Sequence, residues 1–374
     1  MKSLGKFPDR FFAEIAGQPD AIRRAAATLE EQRGEVARLR AALRRATSVV
    51  FTGMGGSYDQ CYVPVTVLAR RGLASEMVVS SELLHFRLRA LPPGALLVCV
   101  SQSGESAEVV AVVERLQQEG RALPRSDAGP VNGPPGRLIG EHAGVLVASV
   151  TNGLDNTLAR AATIRLDTRV GAEEGPSTMT FAASLAALAA VADEVSGDRL
   201  PALKLQRAAL ELERLLGGAE DEAARLAAWF GKRAMLTLIG RGGARAAAEM
   251  GALTIKESSG LLAESLEAGQ FRHGPLEMAG PELAAMIFAT EKVTRELDRA
   301  LAADLVAAGS AVYFVSQTGE APAGAARLAI GPVADAVAPA VAVLPAQLLA
   351  WRLARRRGRT PGEFTVASKV TLRE

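Results

Sequence analysis

Three short stretches of the chain concentrate groups that can bind or react. In Ser101-Gln102-Ser103-Gly104-Glu105-Ser106, three hydroxyls and an amide stand where the apolar run Ala95 to Val100 ends and the helical pattern Ala107 to Gln118 begins. Short neutral donors in that place satisfy a phosphate or a sugar hydroxyl at the carboxyl end of a strand. Helix capping by Ser103 or Ser106 is the competing explanation, but capping uses one hydroxyl and several are present. In Gly53-Met54-Gly55-Gly56-Ser57 a glycine turn follows the apolar run Ser48 to Thr52; residue 58 is Tyr, so the last glycine of a dinucleotide fingerprint is missing. Free backbone N–H groups and the positive end of a helix at such a turn cradle an anion, and Ser57 adds a hydroxyl. The third stretch is Ile255-Lys256-Glu257-Ser258-Ser259 on a helical pattern, followed by Ala263 to Pro275 with Glu264, Glu267 and His273. A carboxylate can move a proton between neighbouring carbons, and a histidine exchanges protons near neutral pH. By itself this set also fits a solvated helix face and a histidine in a Gly-Pro turn.

The elements that must position these groups follow an alternating pattern. Ser48 to Thr52, Met77 to Ser80, Ala95 to Val100, Gly144 to Thr151 and Ala162 to Leu166 read as strands, and so do Ala234 to Gly240, Ala284 to Ala289, Ala311 to Ser316 and Leu328 to Ile330. Apolar strands separated by helical stretches imply parallel sheets covered on both faces. Ala21 to Arg45 carries Ile22, Leu29, Val36, Leu39 and Leu43 at helical spacing and predicts an N-terminal helical hairpin. A helical region from Thr178 to Leu216, broken near Gly197 to Pro201, connects two α/β halves. The halves echo each other, since Val50 to Gly56 resembles Leu238 to Gly243 as a strand running into a glycine turn. Ser316-Gln317-Thr318-Gly319-Glu320 resembles the serine-rich stretch, but Ala321-Pro322-Ala323-Gly324 starts a helix poorly, so it reads as a turn. Arg121 to Glu141, rich in Pro and Gly, reads as a loop insertion.

Composition narrows the classes. The chain has 374 residues, enough for two domains, with 49% hydrophobic and 22% charged residues, which excludes a disordered or fibrous chain. The 43 Lys and Arg nearly balance 41 Asp and Glu, and the arginines are dispersed, so nucleic acid is not expected as a partner. Cys61 and Cys99 lie in apolar stretches without metal or redox spacing, and His85, His142 and His273 are scattered, so neither a disulfide framework nor a metal is expected. The N-terminus lacks the apolar core of a secretory signal, and Pro339 and Pro345 interrupt the longest apolar run, Ala336 to Trp351. The expectation is a cytoplasmic protein that neither crosses nor binds a membrane.

The serine-rich stretch, the Lys256-Glu257 helix, the turn Phe271-Arg272-His273-Gly274-Pro275 and the C-terminal Ala367-Ser368-Lys369-Val370-Thr371 together resemble the tandem SIS (sugar isomerase) family. Within it they are similar to the isomerase half of glucosamine-6-phosphate synthase and to glutaminase-free relatives, the sugar-phosphate deaminases and fructosamine-type deglycases. The resemblance runs from about Phe12 to the C-terminus, with the motifs in the family's order. It implies an α/β chain of two flavodoxin-like, three-layer αβα SIS subdomains with parallel sheets, preceded by the helical hairpin. The corresponding segments are 1–45 (helical), 46–200 (first SIS subdomain, binding phosphosugar), 201–355 (second SIS subdomain) and 356–374 (a tail completing the active site). Ser57, Ser101, Gln102, Ser103 and Ser106 fall on phosphosugar-binding positions, Glu257 on the general base for the C1/C2 proton, and His273 on the ring-opening histidine, contributed across a homodimer interface. No cofactor or metal is implied.

The sequence also departs from the synthase. No glutaminase segment with an N-terminal cysteine nucleophile precedes the hairpin, so glutamine is not expected as nitrogen source. Thr254 stands where the synthase carries a lysine one turn before the base, and Lys369 comes one position later than the Schiff-base lysine. A one-residue shift along an extended chain reverses a side chain's direction, so Lys369 is expected to bind substrate while pointing away from C2. The expectation is a sugar-phosphate aldose/ketose isomerase or amino-sugar-phosphate deaminase/isomerase, acting on a phosphorylated sugar or amino sugar as a homodimer. An ammonia-dependent or partner-fed aminotransferase and a non-catalytic sugar-phosphate sensor are the alternatives.

Overall fold

The computed structural model describes residues 7–123, 144–194 and 202–374. The chain packs as two compact units, each assembled from separated segments. One comprises Arg24–Gly171, Ala183–Ala202 and Val370–Glu374; the other comprises Met1–Arg23, Ala172–Ala182 and Leu203–Lys369. Most of the loop expected at Arg121 to Glu141, and the break expected near Gly197 to Pro201, lie outside the described residues.

The first unit contains a five-stranded sheet, β1 (Val49–Gly53), β2 (Glu76–Val79), β3 (Leu96–Val100), β4 (Leu146–Thr151) and β5 (Ile164–Asp167), in the order β2-β1-β3-β4-β5. Every pairing is parallel. β1, β3 and β4 are buried along their whole length, which is why they read as unbroken apolar runs. The helix Ala107–Gln118 turns Val109, Val112, Val113 and Leu116 inward at helical spacing, onto Val50, Leu97, Cys99 and Val147.

The second unit repeats the plan with β6 (Met235–Gly240), β7 (Ala263–Glu267), β8 (Leu283–Ala289), β9 (Ala311–Ser316) and β10 (Ala326–Ala329), in the order β10-β9-β8-β6-β7. All its pairings are parallel too. Read from the other edge, this is the strand order of the first sheet, the flavodoxin-like arrangement, in which ligands sit at the carboxyl edge where connections diverge. Its core joins Ile239, Phe271, Ile287, Leu301, Leu305 and Phe314.

The strands lie within two residues of their sequence-based positions, with one correction. Ala263 to Glu267 is a strand, whereas the sequence reading placed no strand there. Among the described residues β7 pairs only with β6, and apart from Ala263 its residues are exposed or half-buried, so Glu264, Ser265 and Glu267 hide the apolar signal that marks inner strands. At the N-terminus three helices follow one another, Arg10–Ala16, Gln18–Glu31 and Arg33–Arg45. Cys61 and Cys99 are free and fully buried, and burial pushes the Cys99 thiol up to about 12. Among the described residues no helix is long and apolar enough to cross a membrane.

Candidate active site

In the first unit the glycine turn and the serine-rich loop follow β1 and β3, which are neighbours, so both lie at one carboxyl edge. Gly53 is required there by close approach: a Cβ would come within 2.9 Å of the Val100 carbonyl and 3.0 Å of the Tyr58 nitrogen. Gly55, at φ 50°, then opens the short helix Gly56–Asp59, and Ser57 lies half-buried in its first turn. The serine-rich loop is knitted by its own hydroxyls. Gly104 N–H donates to Ser101 Oγ (3.1 Å), Glu105 N–H to Ser103 Oγ (3.1 Å), and the hydroxyls of Ser101 and Ser106 are 3.2 Å apart.

Ser106 occupies the capping position of the helix Ala107–Gln118 but makes no side-chain cap bond; the Thr371 carbonyl accepts from Ala107 N–H instead (3.1 Å). The loop is braced from outside by Asn152 N–H donating to the Gln102 carbonyl (3.0 Å), Leu158 N–H to the Gly104 carbonyl (3.0 Å) and Thr157 N–H to Glu105 Oε1 (2.8 Å). The sequence reading missed Asn156, which caps the next helix through Ala159 N–H (2.8 Å) and crowds Gly104. The loop therefore leaves Gln102, Ser103 and Ser106 half-buried at its surface, with the buried Ser101 hydroxyl bonded beneath them to Gly104 N–H.

In the second unit the helix Arg245–Ser259 ends at Gly260, in the left-handed region at φ 63°. Glu257 lies half-buried in its last turn, with Lys256 exposed beside it. Burial raises the Glu257 carboxyl to about 7, the nearby Lys369 and Lys256 ammonium groups oppose that rise, and the Glu173 carboxylate adds to it. Thr254 is buried and spends its hydroxyl on the Met250 carbonyl (2.8 Å). Lys369 is turned inward, its Nζ donating to Glu173 Oε2 (3.1 Å) and the Gly175 carbonyl (2.5 Å). Glu173 is itself fixed by Thr178 N–H (2.8 Å), Thr178 Oγ1 (3.1 Å), Thr180 N–H (3.1 Å) and the Thr180 hydroxyl.

The structure thus groups Glu257 with Lys369 and adds Glu173 and Glu14, which the sequence reading missed. Glu14 shares a short helix with Phe11, Phe12, Ile15 and Ala16, all buried. A carboxylate among apolar neighbours was the available signal. Glu173 precedes a Gly-Pro turn and carried none. His273 stands apart from this group: it is exposed, in the turn after Phe271 where Gly274 adopts φ 124°. Among the described residues no cluster of His, Cys, Asp and Glu is disposed to hold a metal.

Known proteins resemble this chain in sequence and in fold. Residues 232–354 match the SIS domain. Over 299 residues the chain is 30% identical to a glutamine–fructose-6-phosphate aminotransferase (isomerizing) of Caulobacter vibrioides, covering 76% of this chain and 45% of that protein. The chain spans about half the length of the curated relatives it matches. Its fold superposes, with a TM-score of 0.77 and 21% identity, on the C-terminal domain of glucosamine-fructose-6-phosphate aminotransferase from Francisella tularensis, covering 97% of this chain and 100% of that one. It superposes equally, with a TM-score of 0.77 and 20% identity, on tagatose-6-phosphate ketose/aldose isomerase from Escherichia coli, covering 96% of each chain. At those identities the likeness to solved structures is one of fold. Residues 232–354 are thus a SIS domain, and most of the chain is similar to a part of these aminotransferases.

Proposed function

We propose that the protein is an enzyme that moves a proton between C1 and C2 of a phosphorylated sugar or amino sugar, isomerising it or releasing its amine. The observation that carries this reading is the Glu257 carboxyl, held near neutrality by burial beside the Lys369 ammonium. A general base works best when its pKa lies near the working pH, and a single carboxylate suffices for a 1,2 proton shift. The phosphate and sugar hydroxyls are taken by Ser57, Ser101, Gln102, Ser103 and Ser106, whose neutral donors sit at a carboxyl sheet edge.

His273 opens the sugar ring by exchanging a proton with the ring oxygen. Glu257 then removes the proton from C2, the C–H electron pair forms the C1=C2 bond, and the former carbonyl oxygen gains a proton. Collapse of this enediol returns the proton to C1 and leaves the carbonyl at C2. With an amine at C2 the same shift passes through an enolamine to an imine, and water then displaces ammonia. Lys369 contributes its charge to substrate binding. The exposed position of His273 in the isolated chain supports its action in the site of a second subunit of a homodimer.

Purified protein supplied with aldose, ketose and amino-sugar phosphates in deuterated water tests this reading. Isomer formation or ammonia release, with deuterium appearing at C1 or C2, is expected for at least one substrate. Tight binding without turnover or deuterium exchange across the panel would overturn the enzyme reading in favour of a sensor.

A further inference from the structure

Glu14 is an expensive residue to keep buried. Its helix Arg10–Ala16 is firmly seated: the Asp9 carboxylate caps Phe12 N–H (2.9 Å) and accepts from Trp351 Nε1 (2.7 Å), while Phe12 meets Trp351 edge to face at 4.8 Å. From this base Glu14, only 6% exposed, turns both oxygens to the backbone of one loop. Oε1 accepts from Glu174 N–H (2.7 Å) and Oε2 from Gly175 N–H (3.1 Å). The fit is close, because a Cβ on Gly175 would stand 2.7 Å from Glu14 Oε2 and 3.1 Å from the Phe11 ring.

The charged groups that act on Glu14 are Glu173 and Lys369 across this loop and Arg10 on its own helix, and Arg10 is paired with Glu174 of the same loop. That loop supplies both acceptors of Lys369, the Glu173 carboxylate and the Gly175 carbonyl. A side chain from the start of the chain therefore fixes the backbone that seats a lysine near its end. We infer that Glu14 is a positioning residue, which sets where the Lys369 ammonium is held by anchoring the segment Glu173 to Gly175. The inference adds a residue to the proposed site, and its effect on substrate rests on the functional reading above, while the seating of Lys369 does not.

The test uses the full chain carrying Glu14→Gln, which places an NH2 group where a second acceptor is needed. With no substrate present, acetic anhydride labelling read by mass spectrometry compares Lys369 with the exposed Lys292. Loss of the anchoring bonds is expected to raise the relative labelling of Lys369 about tenfold. Gly175→Ala, which keeps every carboxylate but pushes the loop off Glu14, should do the same, and it decides the matter if the Gln variant does not fold. Lys369 as protected as in the native chain, in either variant once folded, overturns the assignment. With a sugar phosphate that the native protein turns over, KM should rise about tenfold while kcat changes less than about threefold. A fall in kcat at unchanged KM would overturn the positioning role. If the native protein turns over no sugar, the functional reading fails and the labelling still decides the role of Glu14.

Discussion

A carboxyl raised from 4.5 to about 7 by burial is a cost that the folded chain carries at Glu257. The sign follows from linkage: the native state binds this proton more tightly than the unfolded chain, so the contribution to stability is fully present below about pH 4.5 and is lost as pH rises through about 7. Replacing Glu257 with Gln removes the charge and keeps the shape. Thermal unfolding at pH 8 should shift upward by about 2 °C or more, with the difference vanishing towards pH 4.5. In the same variant turnover should fall about 100-fold, because the proton acceptor is gone. Activity near that of the native protein would pass the role to another carboxylate, with Glu264 first in line. For phosphate binding, Ser101→Ala and Ser103→Ala should each raise KM, since a hydrogen bond to a charged oxygen contributes about 1.5–3 kcal/mol. Steady-state kinetics with unchanged kcat is the expected pattern.

The loop between β3 and the helix Ala107–Gln118 is an element whose shape depends on one glycine. Gly104 adopts φ 66°, and a Cβ there would come within 2.0 Å of Asn156 Oδ1. Gly104→Ala therefore strains the backbone and displaces Asn156 from its capping bond to Ala159 N–H. The expected outcome is a loss of about 1–3 kcal/mol in unfolding free energy together with weaker sugar-phosphate binding, measured by denaturant titration and calorimetry. Native-like binding in this variant would show that the hydroxyls do not depend on the loop's present shape. The look-alike stretch Ser316 to Glu320 is tied down through its amide. Its Gln317 amide is spent on the Thr290 carbonyl (3.3 Å), Asp335 (3.3 Å) and Val333 N–H (3.3 Å), consistent with its reading as a turn.

For the whole molecule, the decisive property is assembly. His273 is exposed in the single chain and makes no hydrogen bond through its ring to any described residue, while Glu257 is half-buried with its charged partners already in place. If His273 serves a neighbouring subunit, mixing Glu257→Gln protein with His273→Ala protein should recover part of the activity that each lacks. A hybrid dimer then contains one site with both native groups, about a quarter of native activity at most when exchange is complete. No recovery after subunit exchange has been confirmed by mass spectrometry would assign both groups to sites built within one chain.

The sequence by itself determined the class of fold and most of the strands, because inner strands of parallel sheets are buried on both faces and must be written in apolar residues, as in the runs Leu96 to Val100 and Leu283 to Ala289. It also marked the serine-rich loop and the Lys256-Glu257 helix, since hydroxyls and charges in short spacing are visible without coordinates. It did not show β7, whose edge position leaves Glu264 and Glu267 room to be polar. Nor did it show that Glu14, Glu173 and Lys369, scattered from the first helix to the last residues, belong to one network. Such a network is made by long-range hydrogen bonds between segments 160 or more residues apart, and local pattern carries no record of them. Only the tertiary structure decided which charges meet, and the burial of Glu257 itself is what chiefly raises its proton affinity.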